Sequence, residues 1–442
     1  MKITNFQHTG LDKIECWIKR NQIKEIDEHT LREALATVNI FFIAEGITRI
    51  QSMLLCELKA SYIQQSQRYV TMDGEVFTLP QLEDKDNRVG NELVKRSLEL
   101  YAKMSELRQW DIKGRPQLEN YVHGIPIEDA RYVLPLCAKT NMCVTMSGDK
   151  LYQLYCLINS NSYDTIFSDF KHELNRWIPA KLIGLLPGKW DNHKNKKLIR
   201  DLYLDDLQKI NPDNNLVLLN AFKNLELQAG LGALTSTQSS TSAEILTKWG
   251  NEATDKARDV VDRVLGYGHE SIAEQARTTF GMMLSLTAYH QQVRHRLPES
   301  YREELLELIL DRDRPVLIPR SISQAGFYED FLGLTKEIKE YRLYIYEKYG
   351  EEKALPFLLN CDQLKMIIST NARIDVKMLS ERTCMNAQWE IRELAIKKLK
   401  SLRGMSHILY EKALPACVIS KCKEGKLSCG KHQEVKKLFT RR

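Results

Sequence analysis

Two short polar stretches constrain this chain more than any other feature. The first is Ala60-Ser61-Tyr62-Ile63-Gln64-Gln65-Ser66-Gln67-Arg68-Tyr69, and the second is Gln291-Gln292-Val293-Arg294-His295-Arg296. Each closes an apolar segment, and each gathers groups suited to anions. Ser66 and the backbone N–H groups of its loop suit a phosphate, and the arginines of Arg294-His295-Arg296 offer forked donors to one. Pro298 disfavours the helical region for Leu297, so the apolar helix before it is expected to stop at the basic triplet and present it at a helix end. Gln291 and Arg294, three apart, share a face of that helix. Neither stretch makes a complete site, and more than two hundred residues separate them.

A chain of 442 residues is too long for one ordinary domain and suits two of about 200. With 43% apolar and 28% charged residues it has the material for two cores. The expected domains are 1–205 and 206–442, with the Pro212-bearing run 211–215 as the boundary region and the polar run 191–197 as a linker or surface loop. No apolar run reaches the ~18 residues of a membrane span, and residues 1–11 carry no signal-peptide stretch, so a cytoplasmic protein without a membrane partner is expected. The net charge of +6 is mild and suits phosphorylated small molecules rather than nucleic acid. Seven of the ten cysteines lie in apolar or helical surroundings and read as buried thiols of a reducing compartment.

Periodicity supplies a coarse layout. Residues 31–69 carry apolar side chains at helical spacing with Gly46 as the one breaker, which predicts a long buried helix before the first polar loop. Residues 149–158 read as another helix, 216–219 as a strand, and 234–240 as a Ser/Thr-rich turn. An apolar helix is expected to follow Thr278-Thr279-Phe280 and reach Arg296. Residues 387–402 are amphipathic, with Ile391, Leu394, Ala395, Leu399 and Leu402 on one stripe of core.

The two opening stretches resemble one continuous motif of the flavin-dependent thymidylate synthases, Arg-His-Arg followed after a short spacer by Ser-x-Asn-Glu-x-Ser-x-Arg. Here the motif looks torn between two copies. Reading back from Ser61, the triplet positions are Cys56, Glu57 and Leu58; reading forward from Arg296, the chain runs Leu297-Pro298-Glu299-Ser300-Tyr301-Arg302 and lacks the loop. Further patches are similar to the family at 268–274, at Asn371-Ala372-Arg373, at Ser380-Glu381-Arg382-Thr383, at 387–395, and, in the first copy, at Ala130-Arg131-Tyr132-Val133-Leu134-Pro135-Leu136. The losses are complementary. The first copy has Ser147-Gly148-Asp149 where the family has Asn-x-Arg and Ile158 at its later arginine, while in the second the Arg-Val-Leu-Pro region has become Leu355-Pro356-Phe357-Leu358.

The resemblance implies an α+β fold of two family-like domains, each an antiparallel sheet packed with long helices, forming a pseudo-dimer. Two chains are then expected to associate as a homodimer resembling a tetramer of single copies. It implies reductive methylation of dUMP to dTMP, with FAD as cofactor and methylenetetrahydrofolate and NADPH as co-substrates. It assigns Gln65, Ser66, Gln67, Arg68, Arg131, Gln291, Arg294 and Arg382 to the nucleotide, and His269, Ser271, Glu274, Arg294, His295, Arg296, Asn371 and Arg373 to the flavin. Arg382 and Arg294 are the catalytic candidates, because negative charge develops on the pyrimidine and fixed cations stabilise it. One flavin per chain is expected, in a site formed either within or between chains. Ile63 and Gln64 stand where the family has Asn-Glu, which leaves the nucleotide's identity open. The same flavin chemistry on another uridine nucleotide, or a catalytically inactive nucleotide- or RNA-binding homologue, are the alternatives. The tail 415–432 resembles a cysteine-bearing extension of some family members. Its Cys417, Cys422 and Cys429 with His432 offer a zinc-type ligand set at non-standard spacing, beside the reading as free or regulatory thiols.

Overall fold

Four times along this chain a strand ends on a hydroxyl or amide residue that turns the backbone directly into a helix. Thr48 closes β2 (Asn39–Thr48) and forms a capping box with Gln51, accepting from Gln51 N at 3.4 Å while Gln51 Oε1 accepts from Thr48 N at 2.7 Å. Ser147 ends β4 (Lys139–Ser147) and accepts from Lys150 N, Ser285 ends β6 (Arg277–Ser285) and accepts from Ala288 N, and Asn371 ends β8 (Gln363–Asn371) and accepts from Ile374 N. Each cap satisfies a backbone N–H that the first helical turn leaves orphaned. The four helices so started are Arg49–Glu57, Gly148–Ile158, Leu286–Gln292 and Ala372–Arg382.

The remaining strands are β1 (Lys2–Thr9), β3 (Ser61–Gln64), β5 (Leu216–Ala221) and β7 (Glu299–Arg302). They complete two four-stranded sheets in the orders β1-β2-β4-β3 and β5-β6-β8-β7, so the second sheet repeats the strand order of the first. Even the irregularity of the outer pair recurs, between Thr4 and Gln7 in β1 and between Leu218 and Asn220 in β5. The architecture is α+β. This computed structural model describes residues 1–21, 25–68, 70, 72, 76–109, 116–191 and 193–440.

Three expectations from periodicity fail for physical reasons. Residues 31–69 hold a helix at Glu28–Leu35, then β2, the Arg49–Glu57 helix and β3. Val38, Ile40, Phe42 and Ala44 are buried at a period of two, and Gly46 takes φ 69 where β2 bulges against β4, so a run rich in aromatic and β-branched residues pairs as a strand. Ahead of the basic triplet, β6 occupies 277–285 before the helix begins. From Phe280 onward every β6 residue is buried, which removes the alternation that separates a strand from a helix. The expected linker at 191–197 runs instead into the helix His193–Gln208, with Asn192 outside the described residues.

The backbone falls into two compact units. The first comprises Met1–Leu202, Ser285–Arg296 and Glu304–Gln363, and the second Tyr203–Leu284, Leu297–Glu303 and Leu364–Arg442. Segments from both halves of the sequence therefore share the first unit, where they exchange hydrogen bonds reciprocally. Arg49 N and Ile50 N donate to Ala138 O (2.7 Å) and Leu136 O (3.0 Å); Leu286 N and Thr287 N donate to Asp362 O (2.8 Å) and Asn360 O (3.1 Å). Leu136 N and Cys137 N reach Leu358 O and Pro356 O, while Asn360 N and Cys361 N reach Leu134 O and Tyr132 O. The helices Asp84–Met104 and Tyr328–Tyr349 join through a forked pair between Arg96 and Glu337. In the second unit Leu207, Ile210, Met283 and Ile367 form a core on which Tyr203, Leu219 and Tyr301 pack.

Candidate active site

The first polar stretch sits at a sheet edge. β3 pairs antiparallel with β4, Ser61 opposite Thr145 and Gln64 opposite Met142. Gln65 N then donates to Asn141 O at 2.9 Å, and the backbone turns, with Arg68 N on Ser66 Oγ (3.2 Å) and Val70 N on Ser66 O (3.0 Å). Arg68 Nε donates to Glu128 Oε2 at 2.6 Å, and Tyr69 lies outside the described residues.

The second stretch meets it within the same unit. The Leu286–Gln292 helix is buried along its whole length but stops at Val293, short of the basic triplet it was expected to reach, so Arg294 does not share a helix face with Gln291. Just beyond that end, Arg294 Nη2 donates to Gln64 Oε1 at 2.8 Å and Arg296 Nη1 to Ser61 Oγ at 2.6 Å. Gln64 Nε2 in turn donates to Ser52 Oγ at 2.7 Å, and Tyr289 Oη to Glu57 Oε1 at 2.7 Å. Gln65, Ser66, Gln67, Arg68, Arg131, Gln291, Arg294, His295 and Arg296 thus share one unit of a single chain.

Its interior holds arginines that, among the described residues, form no ion pair, although the charges of Glu128 and Asp129 act on Arg131. Arg131 is 3% exposed; its Nε donates to Glu128 O at 3.1 Å, while its Nη2 is buried without a hydrogen-bond partner. Arg49, 4% exposed, has its Nε equally orphaned. Burial first, then the like charges of Arg131 and Arg294, hold the Arg49 pKa well below the ordinary arginine value. Arg131 is lowered chiefly by burial. Arg294 is exposed on one side and crowded by protein on the other. Burial lowers its pKa and the charge of Arg68 adds to that. His290, whose Nε2 lies 3.7 Å from Cys56 Sγ, is held well below the usual histidine value by burial, with Arg49, Arg294 and Arg131 contributing in that order. Burial likewise pushes the Cys56 thiol up to about 12, so no thiolate nucleophile stands here at neutral pH.

Sequence reasoning missed Arg49, Asn360 and His290. Asn360 Nδ2 bridges Arg131 O (2.9 Å) and Gln67 Oε1 (3.5 Å), and two residues on Asp362 accepts from Leu359 N at 2.7 Å and takes the guanidinium of the buried Arg342. The available signal was an arginine directly after Thr48, inside a Thr-x-x-Gln capping-box pattern.

The other assigned residues lie in the second unit. His269 precedes the 3-10 turn Glu270–Gln275, exposed, with its N–H on Val264 O at 3.2 Å; Ser271 is exposed too. Arg373 pairs with Glu274 and stands 4.0 Å from Glu270. Asn371 caps the Ala372–Arg382 helix, and Arg382 ends it, so Arg373 and Arg382 are about 14 Å apart along the axis. A pocket of about 340 Å³ is lined by Glu270, Ala273, Arg373, Lys377, Ser380 and Leu409.

The tail does not gather the ligand set its sequence allows. Among the described residues no group of three or more His, Cys, Asp or Glu is arranged to hold a metal ion, Cys417, Cys422, Cys429 and His432 included. Instead Val435 is buried and Leu427 O accepts from Asn386 Nδ2 at 2.7 Å.

Residues 9–163 and 218–405 match the family model described as thymidylate synthase complementing protein. A flavin-dependent thymidylate synthase of Geobacter sulfurreducens is 33% identical over 186 residues, covering 40% of this chain and 79% of the relative. One of Clostridium tetani is 32% identical over 207 residues, covering 42% of this chain and 82% of the relative. The solved flavin-dependent thymidylate synthase of Helicobacter pylori, complexed with FAD and dUMP, is 18% identical with a TM-score of 0.37, covering 45% of this chain and 99% of its own.

Proposed function

The chain belongs to the thymidylate synthase complementing family, that of the flavin-dependent thymidylate synthases, and we propose that it is itself such an enzyme, reductively methylating dUMP to dTMP with FAD, methylenetetrahydrofolate and NADPH. The observation that carries this reading is the pair of bonds from Arg294 to Gln64 and from Arg296 to Ser61, which set the two incomplete motifs beside each other in one unit. The reciprocal hydrogen bonds around 134–137 and 358–361 support a tandem duplication whose halves form a pseudo-dimer. A homodimer of such chains would then resemble a tetramer of single copies.

We read this cluster as a recess that takes a phosphorylated nucleotide, since buried donors on Arg131 and Gln67 lack acceptors and the exposed Arg294 stands beside them. Arg131 and Arg68 would take the phosphate, Gln67 and Gln65 the sugar and base, and Gln291 with Arg294 would orient the ring. In the second unit Asn371, Arg373, His269, Ser271 and Glu274 would hold the flavin, and of these Arg373 lines the pocket of about 340 Å³. When bound, the flavin supplies the hydride. The chain's own part is to place the nucleotide, exclude water, and offer Arg294 to the charge that develops on the pyrimidine. The high pKa of Cys56 agrees with a reaction that uses no cysteine nucleophile.

Gln64 favours one further reading. It replaces a family carboxylate and is occupied by Ser52 and Arg294, which would admit a different uridine nucleotide. Purified protein should carry flavin absorbance and form dTMP from dUMP, methylenetetrahydrofolate and reductant. A colourless protein that cannot be reconstituted with FAD would defeat the proposal, and flavin without dUMP turnover would point to the other nucleotide.

A further inference from the structure

The first copy's helix has lost the basic triplet, yet it carries a buried cation two turns earlier. Arg49 and Cys56 are seven apart and lie on one face of the Arg49–Glu57 helix. Cys56 on that face touches His290 of the Leu286–Gln292 helix. Arg49 is 4% exposed with Nε unpartnered, and among the described residues no carboxylate forms an ion pair with Arg49, Arg131 or Arg294. The nearby acid Glu128 is taken by Arg68 at 2.6 Å. Gln67 is also 4% exposed, and its Nε2 is a third buried donor without an acceptor. Asn360 ties Gln67 to the Arg131 backbone, and Arg49 N and Ile50 N anchor their helix start to the same segment through Ala138 O and Leu136 O.

A buried arginine does not shed its proton, and an unpaired buried charge costs several kcal/mol. A fold that buries two such guanidiniums, Arg49 and Arg131, with the orphaned Gln67 donor beside them and the exposed Arg294 nearby, lacks an anion rather than a proton. We infer that Arg49 is a direct ligand of a phosphoryl group bound in this recess, acting with Arg131 and Gln67 and restoring the positive charge missing at Cys56-Glu57-Leu58. A dianionic tetrahedral group presents enough acceptors for all three donors, and a monocarboxylate presents less charge. After burial, the charges of Arg131 and Arg294 both add to the lowering of the Arg49 pKa, which agrees with this crowding. The inference rests on the nucleotide reading of the recess, but its test does not need turnover.

The experiment is a thermal-unfolding titration of the full chain with orthophosphate, with dUMP, and with acetate as the monocarboxylate arm. Wild type should rise in Tm with orthophosphate and more steeply with dUMP, and barely respond to acetate. Arg49→Met should melt no lower than wild type without anion, since it removes an uncompensated charge, and its apparent affinity for orthophosphate should fall at least tenfold. Arg49→Lys, which keeps the charge without the Nε donor, should lie between, and it serves as the test if the methionine variant does not fold. A lower anion-free Tm with an unchanged phosphate response would make Arg49 a purely structural residue and overturn the inference, as would a wild type indifferent to orthophosphate. An Arg49-dependent phosphate response in a protein that never turns over dUMP would uphold the ligand role while removing the catalytic reading.

Discussion

Arg294 and Gln64 are 230 residues apart in sequence and joined by a 2.8 Å hydrogen bond from Nη2 to Oε1 inside one compact unit. The bond places the end of one half's helix against the edge strand of the other half's sheet. We propose that the site built this way belongs to a single chain.

That arrangement sets the outcome of a mixing experiment. Arg68→Ala and Arg294→Ala should each reduce kcat/KM about ten- to hundredfold, the usual cost of a lost charge-assisted contact. Co-expressing and co-purifying the two variants should restore nothing, because no chain then carries both arginines. Recovery approaching a quarter of wild-type activity would mean that the site forms between chains.

The neutral, buried His290 gives the fold an acid-sensitive element. Its folded pKa is depressed, so as pH falls below the unfolded value of 6.5 the unfolded chain takes up a proton that the folded chain refuses. Stability should therefore be retained above about pH 6.5 and decline below it, by up to about 1.4 kcal/mol per pH unit. Urea midpoints between pH 7 and pH 5 measure this slope, and His290→Gln should flatten it. An identical slope in the variant would assign the acid sensitivity to other groups.

In the second unit Lys398, 2% exposed, donates to Asp375 Oδ1 at 2.7 Å and to Thr370 Oγ1 at 3.1 Å. Removing one partner strands a buried charge. Lys398→Ala should cost about 3–5 kcal/mol, and pairing it with Asp375→Ala should recover part of that loss. Denaturant unfolding of the three variants decides; additive losses would mean the two charges are not coupled.

Flavin content should be one per chain. Only the second half carries Asn371, Arg373 and Arg382, and Ser147-Gly148-Asp149 occupies the corresponding strand end in the first, where Asp149 is engaged by Arg32 at 2.7 Å. Flavin released by denaturation and measured against protein concentration tests the ratio. Arg373→Ala should lower retention severalfold, and a ratio of two would refute complementary halves.

The sequence by itself determined what depends on near neighbours. The buried stripe of Ile391, Leu394, Ala395, Leu399 and Leu402 in the helix Trp389–Met405 follows from helical spacing alone. The incompleteness of each polar stretch was legible as well, because each lacked what the other kept. Only the tertiary structure decided that residues 39–48 form a strand, since the period that matters there is set by pairing with β1 and β4. It alone brought Asn360 to Arg131 and Gln67 and buried Arg49 among like charges. Those relationships join residues far apart in the chain, and the burial and charge they impose are fixed by packing that no local pattern encodes.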